Sequence, residues 1–389
     1  MKMVNLRDVA PPSASDRALR TGEKVWQLNL DQVEAQTGRI LSKVFTDASS
    51  VGSSTQPFDN GNVLFSKLRP YLNKVVLPDE SGIATTELVP LRPDPEKLER
   101  RYLAYYLRSP SFVAWASNEV AGAKMPRVVM QSFWKQQIPL PHLAEQKRIA
   151  AILDKADAIR RKLQQSLRLS DDFLRSVFLD MFGDPVTNPK GWDEGLVLGE
   201  VADIVSGVAK GRNLLGKKTR EVPYLAVANV QDKRLNLKVV KTIPATSEEI
   251  QKYRLVQNDL LLTEGGDPDK LGRGTLWHDE LAECIHQNHI FRVRLTHLEI
   301  HPVFLNWLVG SERGKKYFLR SAKQTTGIAS INMTQLRAFP MLMPPLLLQK
   351  RFAALIQAVA KKTMKLTLQA RTAEDLFSSL QQRAFRGEL

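Results

Sequence analysis

Two stretches of this chain hold residue types that could do chemistry. Five histidines, His278, His286, His289, His297 and His301, fall close together, which invites a metal reading. Carboxylates are scattered irregularly around them and no helical i, i+4 pair forms, so strand-edge and loop positions are expected instead of a metal centre. The second stretch, "TEGGDPDK" (Thr263 to Lys270), sets Asp267 and Asp269 beside a lysine, a loose likeness to a metal-dependent nuclease core. Other reaction centres have no sequence signature: GxxxxGK[ST], a GxGxxG after a strand, GxSxG and HExxH are all missing. "LGRGT" (Leu271 to Thr275) reads as a loop tip, and one cysteine, Cys284, can build neither an internal disulfide nor a thiolate zinc site.

A binding chemistry is better supported. The formal charge is +15 and the pI near 9.8, values that favour polyanionic partners and nucleic acid above all. The excess is spread along the chain, +4 over 1–142, +1 over 143–189, +5 over 190–342 and +5 over 343–389, so no basic tail carries it. Reading a duplex requires donors and acceptors on protruding loops, surrounded by lysine and arginine for the phosphates. "SKLRPYLNK" offers Ser66, Lys67, Arg69, Tyr71 and Lys74, and "GAKMPR" adds Lys124 and Arg127. Their counterparts are Thr263, Lys270 and Arg273 in "TEGGDPDKLGR", and Lys323, Gln324, Thr325 and Thr326 in "KQTTGIAS".

These loops come in pairs because the chain is written twice. "LPHLAEQKRIAAIL" at Leu140 returns as "MPPLLLQKRFAALI" at Met343, 203 positions on. "VNLRDVA" at Val4 parallels "LVLGEVA" at Leu196, and "RYLAYYL" at Arg101 parallels "VFLNWLV" at Val303. Each copy opens with a mixed region. "HIFRVRLT" alternates Phe291, Val293 and Leu295 inward with Arg292 and Arg294 outward, as a half-buried strand does. "PEKLERRYLAYYLRSP" and "HPVFLNWLVGSERGKKYFLRSA" read as amphipathic helices. Each copy then closes, after a proline break, with a long run free of proline and glycine. In the second run Phe352, Ile356, Val359, Thr363, Leu366, Ala370, Ala373, Phe377, Leu380 and Ala384 keep the 3.5-residue step of a coiled-coil seam. In the first, Ile149, Ile152, Ala156, Ile159 and Leu163 are followed by Leu167, Leu174, Val177 and Met181, with a stutter.

The fold class is therefore α+β with a pseudo-twofold internal repeat. Two globular domains, 1–142 and 184–342, alternate with two helices, 143–183 and 343–389, that are expected to form an antiparallel coiled coil. No run approaches the ~20 apolar residues of a membrane span. No secretory leader is read at the N-terminus, so the cytoplasm is the expected location.

"PLPHLAEQKRIAAILDKADAIRRKL" (Pro139 to Leu163), its weaker copy, "LFSKLRPYLNKVV" at Leu64, the stretch from Trp192 to Gly207 and "NDLLLTEGG" together resemble the specificity subunits of type I restriction-modification systems. The likeness covers essentially the whole chain. It implies two target recognition domains reading the halves of a split site in double-stranded DNA. It also implies helices that dock two modification (methyltransferase) subunits, with restriction (translocase and nuclease) subunits joining them. The chain itself would be non-catalytic and hold no cofactor, S-adenosylmethionine belonging to the modification subunits. One departure is Leu347 and Leu348 in place of Ala144 and Glu145, which sets apart the two helices' contacts with partners. Two other functions stay open: a nuclease built on Asp267 and Asp269, and a coiled-coil scaffold with basic domains.

Overall fold

The computed structural model describes residues 2–13, 23–52, 54–266, 271–325 and 328–389, with backbone alone at 323–325 and 328. The chain forms two compact units, residues 1–167 with 365–389, and residues 168–364. Each is described by itself.

In the first unit, strand Lys24–Leu28 runs parallel to Gly82–Thr85 and antiparallel to Val44–Asp47, while Val63–Ser66 lies between Val75–Val76 and Leu88–Leu91. Helices Arg100–Leu107 and Pro110–Asn118 cover this second sheet, and Phe65, Tyr102, Phe112 and Phe133 fill the core between them. The second unit repeats the order. Arg220–Leu225 runs parallel to Ile285–His286, and Leu260–Thr263 lies between Gly274–Leu276 and Ile290–Leu295. Helices Pro302–Val309 and Glu312–Ser321 follow. Each expected amphipathic stretch is thus two helices, because Ser109 and Ser311 start a new helix after a turn.

One strand differs from its expected pattern. Arg292 is buried, not outward; it meets Asp203 at 2.6 Å and donates to the Lys252 carbonyl at 3.0 Å. Arg294 meets the fully buried Asp259 at 2.7 Å. The far face of this strand is covered, and the two carboxylates make that burial tolerable for the guanidiniums.

Both long helices are present, Leu143–Phe182 and Leu346–Arg386. In the first unit the start of the first helix meets the end of the second: Arg148 donates to the Leu389 carbonyl, and Arg160 reaches Glu374 at 3.1 Å. In the second unit Phe178 and Phe182 pack on Phe352. In the first unit partners rise in number on one helix as they fall on the other, so that crossing is antiparallel. In the second helix every expected seam residue is buried or half-buried. The first helix needs a correction, since Ile159 is 56% exposed and there is no stutter. Its seam runs Ile149, Leu153, Ala156, Arg160, Leu163, Leu167, Ser170, Leu174, Val177 and Met181, position for position the second helix's seam. Among the described residues, no helix is long and apolar enough to cross a membrane.

Gln146 and Gln349 explain the repeated "QKR". Both are fully buried. The Gln146 amide oxygen accepts from the Glu99 N–H at 2.8 Å, and its nitrogen donates to the Lys97 and Pro141 carbonyls. Gln349 accepts from the His301 N–H at 2.8 Å and donates to the Glu299 and Pro344 carbonyls. Each glutamine ties the first turn of a long helix to the loop that precedes its unit's helix pair.

Candidate nucleic-acid interface

In the first unit, strand Val63–Ser66 ends in a loop whose neck closes where the Ser66 N–H donates to the Lys74 carbonyl at 3.0 Å. The loop is stitched to a distant one. Arg69 N–H donates to the Pro126 carbonyl at 2.7 Å, Val128 N–H to the Lys67 carbonyl at 2.9 Å, and Leu68 bridges Arg127. Lys67 N–H in turn donates to the Glu87 carbonyl at 3.0 Å. Arg69 sits in the left-handed region at φ 50, a conformation costly for a side chain this large and held here by Pro70 and the stitch.

The second unit repeats the stitch. Thr263 N–H donates to the Arg273 carbonyl at 3.1 Å, Glu264 N–H to His289 at 3.0 Å, and Ile331 N–H to Glu264 at 2.9 Å. Gly265 and Gly266 pair with Ser330 and Ala329, and Ile328–Ser330 pairs with Lys323–Thr325. A Cβ on Gly265 would stand 2.9 Å from the Ala329 carbonyl oxygen, so the glycine permits the approach.

The expected reading residues divide by exposure. Arg69, Tyr71, Lys124 and Arg127 are exposed and Lys67 is half-buried. Arg127 holds Glu87 at 2.9 Å, and that hydrogen bond raises its pKa further above the ordinary arginine value. Ser66 and Thr263 are buried and bond to the Leu68 and Arg273 carbonyls, so they fix the loop necks instead of facing outward. Lys74 donates to the Leu30 carbonyl, and burial lowers its pKa. Arg273 is half-buried beside Gln231. Lys270 and Thr326 lie outside the described residues, as do Asp267 and Asp269; for Lys323, Gln324 and Thr325 the backbone alone is described.

Sequence reasoning missed Glu87, which faces Arg127, and Met125, exposed on the loop between Lys124 and Arg127. Nothing local signals Glu87, whose partner is 40 residues away. The histidines have structural posts. His286 is buried with Nδ1 2.9 Å from the Ile290 carbonyl, His289 contacts Glu264 at 2.6 Å, and His301 accepts the Val303 N–H. Among the described residues, no three His, Cys, Asp or Glu side chains gather as metal ligands.

A paired-loop surface of this kind offers cations and hydrogen-bond donors on a fixed backbone. It suits phosphate and base-edge contacts. Residues 38–169, which span the first stitch, match the family described as type I restriction modification DNA specificity domain. The specificity subunit of the StySPI type I restriction enzyme from Salmonella potsdam is 27% identical over 76% of this chain and 67% of its own length. That of EcoKI from Escherichia coli K12 is 23% identical over the same shares. This chain is similar to type I restriction specificity subunits. The fold agrees: the S subunit of a type I restriction-modification system from M. genitalium, at 12% identity, superposes over 99% of this chain and 96% of its own with a TM-score of 0.55. The helix motif with its buried glutamine lies inside the matched residues.

Proposed function

We propose that this chain is the non-catalytic DNA reader of a type I restriction-modification complex, inspecting a bipartite duplex target with one stitched loop pair per unit. Residues 1–142 and 184–342 are the two target recognition domains, and 143–183 and 343–389 the helices that carry the modification subunits. Restriction subunits join that assembly, and S-adenosylmethionine belongs to the modification subunits. The observation that carries this reading is the duplicated stitch, in which loops some 60 residues apart meet through the same backbone bonds in both units. Arg69, Tyr71, Lys124, Arg127 and Lys67 are the contacts of the first half-site. Lys270, Arg273, Lys323, Gln324, Thr325 and Thr326 belong to the second, while Ser66, Lys74 and Thr263 hold loops in place.

Charge reversal of Lys67 and Arg69 together tests the reading. With Arg69 exposed and Lys67 half-buried, stability should change little, but duplex affinity should fall about tenfold or more, with a shallower dependence on salt. Unchanged affinity at physiological salt in a folded variant rules the first loop out. Methylated bases mapped in cells carrying the chain with its modification subunits should define a two-part site; a continuous site rules out two readers.

A further inference from the structure

The two units differ at one matched place. Gln36 and Lys233 both adopt left-handed backbone, at φ 65 and φ 53, and both donate their N–H at 2.8 Å, to the Leu72 and Gly274 carbonyls. Facing them, helices Arg100–Leu107 and Pro302–Val309 end on residues of the same conformation, Arg108 at φ −93, ψ −1 and Gly310 at φ −80, ψ 0. In the first unit the Arg108 side chain spans the gap and donates to the Gln36 carbonyl at 3.2 Å. In the second unit Gly310 has no side chain to do so, and a cavity of about 610 Å³ opens there.

Its walls are of two kinds. Phe178, Leu179, Leu271 and Trp307 are apolar, whereas Arg175, Lys233, Arg273 and Lys316 are cationic. The Lys233 ammonium stands 4.1 Å over the Trp307 ring, half-buried, and burial lowers its pKa. Arg273 Nε is buried with no hydrogen-bond partner among the described residues. Of the three acids at the rim, Glu312 is held by Lys315 at 3.0 Å, Asp184 accepts from the Val186 N–H at 2.9 Å, and Asp232 beside Lys233 offsets part of the effect of burial on its ammonium. Five cations, Arg175, Lys233, Arg273, Lys315 and Lys316, line the cavity against three carboxylates; that excess favours an anion, and the volume lies within the range of small-molecule sites.

We infer that this cavity is a phosphate site of nucleotide size, with the phosphate between Lys233 and Arg273 and the organic part against Phe178, Leu179 and Leu271. The phosphate comes either from a free nucleotide, a source independent of the target-reading proposal, or from the backbone of bound DNA, a source that rests on it. Two variants of the full chain test it. Gly310→Arg refills the cavity as Arg108 does in the first unit, at a backbone conformation that any residue adopts; Lys233→Met removes the ammonium and keeps the stem. Adenosine monophosphate titrated by calorimetry should bind the unaltered chain once and saturably, and both variants should weaken it at least tenfold. If adenosine monophosphate does not bind but both variants weaken duplex affinity at least threefold, the phosphate is that of DNA. The inference is overturned if folded variants match the unaltered chain toward both ligands, or if neither ligand binds the unaltered chain. Loss of duplex binding by the Lys67 and Arg69 variant, with nucleotide binding intact, separates the two proposals.

Discussion

The two helix crossings share one seam and use opposite chemistry. In the first unit Asp157 and Arg160, both nearly buried, pair at 2.6 Å; Arg160 reaches Glu374 and lies 4.5 Å over the Phe377 ring. The positions that match them in the second helix are Ala360 and Thr363. The second unit's crossing is instead an aromatic cluster, Phe178, Phe182 and Phe352 with Trp307 and Phe304. A repeated backbone therefore fixes which positions face inward and leaves their chemistry free. Apolar contact supplies stability in proportion to area, whereas a buried ion pair adds little net stability and disfavours partners that leave it unmatched.

The largest expected break is at the aromatic crossing. Phe352→Ala removes a fully buried ring touching Phe178, Phe182 and Trp307, and should cost the second unit about 3–5 kcal/mol in chemical unfolding. Protection of first-unit amides from hydrogen exchange should change much less; equal loss in both units would show that the crossings do not act separately.

Acid should also part the units. Burial lowers the His286 pKa from 6.5 to about 4, and its Nε2 has no partner among the described residues. Between those values the unfolded chain takes up a proton that the folded chain refuses, so the neutral ring's contribution is present above about pH 6.5 and is lost as pH falls toward 4. The loss reaches about 3 kcal/mol. The first unit has Ala84 at the matching strand position. His286→Phe should flatten the second unit's acid response over that window, and an unaltered slope would assign it to carboxylates.

The buried glutamines sharpen the symmetry. Gln146→Leu and Gln349→Leu each strand one backbone N–H and two carbonyls, and each should cost about 2–3 kcal/mol. Near-equal losses in urea unfolding are expected; a cost at only one site would mean the repeated motif has kept its role in one copy alone.

Much of this was legible in the residues. Period and proline breaks gave both long helices and the whole second seam, and the 203-residue offset exposed the duplication. The first seam differs from its sequence reading at three places: Leu153 takes the position read for Ile152, Arg160 that read for Ile159, and Ser170 fills the apparent stutter, the last two being polar residues that an apolar count passes over. Arg160 can sit inside only because Asp157 and Glu374 await it, and Glu374 is 214 residues away. The loops were found by composition, yet the stitch between them was not, since backbone pairing across such separations leaves no local pattern. Ser66 and Thr263 read as possible DNA contacts because hydroxyls look alike in sequence whether they face water or, as here, a buried carbonyl.

The smallest expected effect lies at the ion pair itself. Arg160→Met keeps the stem over Phe377 and removes the charge. Were Asp157 left alone in the crossing, the cost would be about 3–5 kcal/mol. Arg161, however, already meets the other Asp157 oxygen at 3.1 Å with its own side chain half exposed, so a compensating cation remains in place. The expected loss is therefore about 1 kcal/mol, and Asp157→Asn added to Arg160→Met should recover part of it. A loss of 3 kcal/mol or more for the single change would mean that Arg161 cannot replace its neighbour, and that the first crossing depends on its ion pair as heavily as the second depends on Phe352.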